Sequence, residues 1–502
     1  MYIRALTSQY FRGLLLKFVL LIVAMHLVLV LWLGYTLNIW ADESCSLATT
    51  GGNLVFAVHQ AVNFEWQPPG YFVVLWFWRQ FSDSIFWARA LSAFCTAITV
   101  VLFFFLSRRL ASEHAIWPYL ATIVLAVHPY AIFAAVELRL YGMGLLLSVV
   151  QFDLFWRSYM EDQKRCRWWY LVVAVLSLYV NILLGLTLAA QNIVLWSSLR
   201  TKAACQHLIS LVMAGVLYLP MFLLQVRSLI DKDIPIDDLG FVKALLFVVG
   251  TLTYNLIPIP RIDTTLILRS GLAITLVAAG SWTIRSYWRQ IAMRHRAVWS
   301  YLLAVAFLLV LFLVATNLRT NPRYTYPIVI ASLLAWGQLT DLIRNQSLVA
   351  IVWIASLVCC FGTLSQTYGP LCKTGDWIRV SRFLDLHEEA DQPIVVFLSE
   401  VDTIMRHYYH GQNTIVPVPS AQRMDRFRYA DFDIPSEQTV RDLLDPLLQH
   451  VDECWLVTCE SAIENALHRY HQEYLYSYLE KEFDVVESTE FVDSKVSRLK
   501  RK

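Results

Sequence analysis

Residues 14–43 read LLLKFVLLIVAMHLVLVLWLGYTLNIWADE, and this stretch decides the class of the chain. From Phe18 to Ala41 it carries no Asp, Glu, Lys or Arg. A helix needs about 20 predominantly apolar residues to cross the hydrocarbon core of a bilayer, and this run supplies them. Arg4, Arg12 and Lys17 stand before the run, and no small-residue cleavage site is evident. It reads as a retained first span, not a removed signal peptide. Asp42 and Glu43 follow immediately where the span ends.

The rest of the composition agrees. Of 502 residues, 57% are hydrophobic and 16% charged, with a mean hydropathy of +0.50. Soluble domains carry nearer a quarter charged residues, so the excess is apolar run, not a larger core. Eighteen Trp and 24 Tyr suit a chain with many membrane–water interfaces to anchor. A net charge of +2 gives no electrostatic footprint for nucleic acid.

Apolar runs fall near 14–36, 86–106, 112–130, 140–157, 168–180, 182–198, 206–225, 265–284, 297–316, 325–343 and 347–366. That predicts a polytopic α-helical membrane protein with about 11 transmembrane helices. Asn181 is the expected turn in the tight pair at 168–198. Arg108 and Arg109, then Lys164, Arg165 and Arg167, then Arg200 and Lys202, then Arg285, Arg289, Arg294 and Arg296 fall in alternate loops. The positive-inside rule puts those loops and the N-terminus in the cytoplasm and the other loops outside. Two further apolar segments, 70–81 and 240–258, read as helices lying in the outer interface. The first is too short between Pro69 and Asp83, and the second ends in Pro258 and Pro260.

Beyond Gly369-Pro370 the composition becomes charged and mixed. Residues 393–398 and 454–458 read as buried strands, with helical stretches at 376–388 and 460–482. The expected division is a transmembrane domain over 1–367 and a small α/β extracytoplasmic domain over 368–502. The nine Cys form no C-x-x-C framework. Cys359 and Cys360 sit in an apolar run. Cys45, Cys372, Cys454 and Cys459 lie outside the spans, where sequence cannot pair them.

Chemistry concentrates at the outer ends of the spans. Two adjacent carboxylates at a helix mouth, Asp42 and Glu43, can keep one group ionised while partners hold the other. One would then serve as a general base, although the pair can equally cap the wet end of a helix. Gln67-Pro68-Pro69-Gly70-Tyr71 fixes an extended turn before the interfacial helix. Glu137-Leu138-Arg139-Leu140-Tyr141 opens the fourth span from outside. Ionisable groups at that depth are a functional hypothesis by default, with a local ion pair as the alternative. Glu137 and Tyr141 share a face if the stretch is helical. Arg89, at the outer start of the second span, binds a ligand or snorkels. Arg323-Tyr324, after Arg319 and Asn321-Pro322, places arginine outside against the positive-inside trend, for a phosphate or for an outer carboxylate. His407-x-x-His410 lacks further metal ligands nearby. Asp231, Asp233, Asp237 and Asp238 around Pro235 read as a solvated loop or a cation site.

In their order, these elements resemble the GT-C-fold glycosyltransferases, in the branch holding protein O-mannosyltransferases and lipid A aminoarabinose transferases (glycosyltransferase families 39 and 83). Asp42-Glu43 matches that family's acidic pair. Gln67-Pro68-Pro69-Gly70-Tyr71 resembles its His-Pro-Pro-x-Tyr, with Gln67 where His is usual. Glu137-Leu138-Arg139-Leu140-Tyr141 resembles Glu-Ala-Arg-x-Tyr, and Arg323-Tyr324 matches a late Arg-Tyr. The resemblance implies a bacterial plasma (inner) membrane enzyme of cell-envelope glycosylation. It implies inverting transfer of a sugar from a polyprenyl-phosphate donor to a lipid, glycan or protein acceptor on the outer face. Asp42 takes the family's base position, and Glu43 supports it or positions the acceptor. Gln67, Tyr71, Arg89, Glu137, Arg139, Tyr141, Arg323 and Tyr324 fall at substrate-binding positions. No cofactor is required, with a divalent cation left open. Ser44-Cys45-Ser46 departs from the aminoarabinose transferases, so their substrate is not expected.

Two other classes make different demands. A transporter places ionisable residues near the bilayer midplane, often in paired repeats. A noncatalytic scaffold leaves the outer loops inert and presents its C-terminal domain to partners.

Overall fold

The computed structural model describes residues 2–230, 240–258, 292–316, 321–423, 429–459 and 470–502. The run at 265–284 and the acidic loop from Asp231 to Asp238 lie outside the described residues. Contacts divide the chain into two compact units. One holds Met1–Tyr35, Gln67–Leu224 and Ile236–Gly369; the other holds Thr36–Trp66, Gln225–Pro235 and Pro370–Lys502. A division by composition at 367/368 leaves residues 36–66 with the membrane part, whereas contacts group them with the C-terminal domain.

The first unit is helical. Five of its described helices are long and apolar enough to cross a membrane: Leu15–Thr36, Ile85–Leu110, Thr201–Val226, Met293–Thr316 and Gln346–Tyr368. A bent pair, Trp117–Ala126 and Pro129–Val136, turned by 44°, makes a sixth when its two helices are counted as one span. Tyr141–Phe155, Cys166–Val180, Leu184–Ser197 and Tyr326–Thr340 occupy four of the other expected runs as shorter helices. At about 1.5 Å per residue, helices of 14 or 15 residues fall short of a 30 Å hydrocarbon core, although Tyr141–Phe155 continues without a break as a π-helix over Trp156–Met160. The tight pair turns at Asn181, whose side chain accepts from the Leu183 amide at 2.8 Å. The two segments expected to lie in the outer interface are helices, Gly70–Arg79 and Phe241–Leu256.

The Ile85–Leu110 helix is the centre of this unit. Ser84 caps it by accepting from the Trp87 amide, and Arg108 and Arg109 complement the dipole in its last turn. Its buried face is rich in small residues (Ala88, Ala90, Ala93, Ala97), which lets neighbours approach closely. His26 ties the first span to it, donating from Nδ1 to the Ala126 carbonyl at 2.7 Å while Nε2 meets Thr96 Oγ1 at 2.9 Å. Trp78 and Trp87 stack at 4.6 Å and each donates its indole N–H to the other's carbonyl. That clasp fixes the short Gly70–Arg79 helix against the start of the Ile85–Leu110 helix.

The second unit contains a mixed five-stranded sheet in the order β2-β1-β3-β5-β4. β1 (Ile394–Phe397) lies parallel to β2 (Ile415–Pro417) and to β3 (Glu453–Thr458). β5 (Ser494–Arg501) runs antiparallel to β3 and to β4 (Phe483–Phe491). β1 is buried along its whole length, as a strand covered on both faces should be. Val440, Leu444 and Leu448 line one face of the Glu437–Leu448 helix, and pack into the core with Val395, Phe397, Leu456 and Leu499.

One close approach gives a stability prediction. A Cβ built at Gly337 lies 2.2 Å from the indole of Trp117, which is buried and has no room to swing away. Alanine gains about 0.5–1 kcal/mol of helix preference over glycine, but overpacking a filled site costs about 1–3 kcal/mol. Gly337→Ala is therefore expected to lower the melting temperature in detergent. An unchanged or higher melting temperature would mean the contact yields.

Candidate functional site

Asp42 and Glu43 lie in the first turn of the Ala41–Thr49 helix in the second unit. No side chain caps this helix, so acidic residues in its first turn suit the positive end of its dipole. Their surroundings differ. Glu43 is fully buried (0% exposed) and its Oε2 receives Lys373 Nζ at 2.9 Å, with the lysine side chain 8% exposed. Asp42 stays half-exposed. The bland reading of the pair as a wet helix cap therefore does not describe Glu43. A carboxylate taken fully out of water requires a paired charge, and breaking such a pair costs about 3–5 kcal/mol.

The loop leading to Asp42 is fixed by the same unit. Asn38 donates from Nδ2 to the Lys373 carbonyl at 2.8 Å and accepts from the Lys373 amide at 2.9 Å. Tyr408 accepts from the Ile39 amide at 2.7 Å, and Ser44 Oγ meets Thr403 Oγ1 at 2.9 Å. Gln422 contributes a weak bond to Cys45 Sγ.

In the helical unit, Glu137-Leu138-Arg139-Leu140 is not helical. The Pro129–Val136 helix stops at Glu137, which is extended, and a new helix begins at Tyr141. Glu137 and Tyr141 consequently do not share one helix face. The cause lies upstream. Pro129 begins a fresh helix where a short outer loop was expected, and His128 caps it by accepting from the Tyr130 amide. The break is buried: Glu137 is 1% exposed, Arg139 8%, and Arg89 on the adjacent helix 2%.

Several expected residues meet around this break. Ser92 Oγ donates to the Arg139 carbonyl at 3.4 Å, and Arg89 donates to the Gly34 carbonyl at 3.0 Å. A Cβ at Gly142 would lie 2.9 Å from the Ser92 carbonyl oxygen, so glycine alone allows this approach. The turn carrying Arg323 and Tyr324 is held by Tyr130, whose hydroxyl donates to the Arg323 carbonyl at 2.7 Å. The Tyr141 and Tyr326 rings are 6.5 Å apart. Gln67 lies elsewhere in the unit. It accepts from Asn181 at 3.3 Å, and Gly70 sits against the backbone of Tyr179, so the Gln67–Tyr71 motif docks on the end of the Cys166–Val180 helix. Tyr71 is buried there.

Lys373, Asn38, Tyr408, Tyr130 and Tyr326 escaped sequence reasoning. Lys373 left one signal: it is the first charged residue after Arg344, as Asp42 is the first carboxylate of the chain. Among the described residues no cluster of three or more potential metal ligands occurs, so His407 and His410 gain no third ligand there. Cys45, Cys372, Cys454 and Cys459 form no disulfide among the described residues. Burial pushes Cys454 up to about 12, and burial reinforced by Asp376 raises Cys372, which keeps both protonated at neutral pH.

Compared with known proteins, the chain matches no family model and no curated protein sequence. Its class is that of a helical membrane protein with a small C-terminal mixed sheet.

Tyr130→Phe leaves the partly buried Arg323 carbonyl without this donor, a loss of about 0.5–1.5 kcal/mol. The variant is expected to melt earlier in detergent and to exchange its Arg323–Tyr326 amides faster. Unchanged exchange at those amides would show that Tyr130 does not hold the turn.

Proposed function

We propose that this protein is a GT-C-type membrane glycosyltransferase with about 11 spans. It transfers a sugar from a polyprenyl-phosphate donor to an acceptor hydroxyl on the outer face of the membrane. The observation that carries this reading is the buried chain break at Glu137–Leu140. Irregular backbone at membrane depth is tolerated where protein buries it or where it lines a cavity. Ionisable side chains at such a place are retained for function. Here a carboxylate and a guanidinium occupy the break, beside the helix that carries Arg89 and Ser92.

In this reading Asp42 removes the proton from the acceptor hydroxyl, and the oxygen attacks the anomeric carbon with inversion. The bond to the phosphate oxygen breaks, and the lipid phosphate leaves as an anion. Arg89, Arg139 and Arg323 offset that charge, so no proton donor is required. Gln67, Tyr71, Glu137, Tyr141 and Tyr324 orient the substrates, and Glu43 supports Asp42. The half-exposed Asp42 beside a fully buried, paired Glu43 fits this division of roles.

The test is sugar transfer from a panel of polyprenyl-phosphate sugars in reconstituted membranes. Asp42→Asn is expected to reduce transfer by about 10²–10⁴-fold, the usual worth of a general base, while donor binding persists. Transfer is expected to survive EDTA. Undiminished transfer by Asp42→Asn would remove Asp42 from the chemistry, and loss in EDTA restored by a divalent ion would overturn the metal-free mechanism.

A further inference from the structure

We infer that Lys373 is a positioning residue for Asp42, and that residues 373–408 of the C-terminal domain thereby complete the catalytic segment. The inference rests on the reading of Asp42 as the base, but its structural half stands on contacts alone. Lys373 engages the 38–43 segment at three points. Its amide and carbonyl both bond the Asn38 side chain, at 2.9 and 2.8 Å, and its ammonium reaches Glu43 at 2.9 Å. One residue therefore fixes both the entry to the Ala41–Thr49 helix and its first turn, and Asp42 lies between those fixed points.

Two more contacts from the same domain close the arrangement. Tyr408 bonds the Ile39 amide, and Thr403 meets Ser44, one residue beyond the acidic pair. The Glu400–Met405 helix that carries Thr403 follows directly from β1, a fully buried strand. The chain thus passes rigidity from the sheet to the helix, and from the helix to the acidic turn. Asp42 itself remains half-exposed. The clamp holds the backbone on both sides of Asp42.

Lys373 serves this role through charge as well as reach. Glu43 is fully buried, so removing this ammonium takes a charge-assisted partner from a carboxylate that water does not reach. That loss loosens the first turn of the helix. Misplacing a catalytic group by about 1 Å can cost on the order of 10²-fold in rate. That loss appears in kcat, because Asp42 acts on the reacting proton and the lipid donor is recognised elsewhere.

The experiment compares Lys373→Met, Lys373→Arg and the double variant Lys373→Met/Glu43→Gln in the full-length protein. Two readouts are taken: transfer kinetics, and hydrogen exchange at the backbone amides of residues 38–46. Lys373→Met is expected to speed exchange in 38–46 selectively and to lower kcat by about 10²-fold, with donor KM within about twofold. Lys373→Arg keeps the charge and is expected to recover most of both. The double variant, which removes the stranded buried carboxylate, is expected to lose less exchange protection than Lys373→Met. Unchanged exchange in Lys373→Met would overturn the clamp. So would faster exchange spread over the whole C-terminal domain, which marks general unfolding. Selective exchange with undiminished kcat would overturn the positioning role while leaving the clamp. An Asp42→Asn variant that still transfers sugar would instead sink the functional reading on which that role rests.

Discussion

A carboxylate stripped of water needs a counter-charge, and Glu43 finds one 330 positions along the chain in Lys373. Much of the second unit is arranged around that requirement. The Asn38 side chain wraps the Lys373 backbone, Tyr408 takes the Ile39 amide, and Thr403 meets Ser44. Each of these bonds joins the segment after the first span to residues beyond the last described span. The acidic turn is therefore held by contacts 330 and more positions away in sequence, whose closure costs chain entropy that the buried ion pair helps to offset.

The helical unit meets a related constraint in another way. Where a helix stops inside an apolar bundle, its end groups must find partners without water. At Glu137–Leu140 one such partner is a small polar side chain on a neighbouring helix: Ser92 Oγ reaches the Arg139 carbonyl. Glycines at 142 and 144 bring the next helix close enough for this to work, against the Ser92 backbone and the Tyr326 ring. A straight helix through the region would spare those groups but would not form a buried turn bearing Glu137 and Arg139. Keeping a buried break is a stability cost that ordinary packing does not explain, and it concentrates charged side chains at one level of the unit.

Apolar length made the long helices legible. The runs expected at 14–36, 86–106, 206–225, 297–316 and 347–366 all coincide with helices of spanning length. Breaks were less legible. His128-Pro129 reads locally as a loop between two spans, yet proline is well suited to a first helical position, and the chain simply bends and continues. The hairpin of β4 and β5 was hidden for a different reason. Its sequence is dense in charge, and exposed cross-strand partners such as Glu490 and Lys495 replace the apolar alternation that marks a strand. At the candidate site, the acidic pair and Glu137-x-Arg139-x-Tyr141 were visible as charges where charges are rare. Lys373 was not, because pairing across 330 residues leaves no periodicity.

The adjacency of Asp42 and Glu43 carries a consequence of helical geometry. Successive residues on a helix point about 100° apart, so two neighbouring carboxylates cannot serve one partner from one direction. One must face the domain if the other faces away. The longer side chain is the one turned inward, where it has to reach Lys373, and the shorter one stays near its backbone and half-exposed. A short side chain has fewer rotamers to lose, so its carboxylate follows the helix closely. Fixing the backbone through Glu43 therefore places Asp42 more tightly than fixing a longer residue at that position would. Helical geometry thus separates the directions of the two side chains, and Glu43 is the one that anchors the turn.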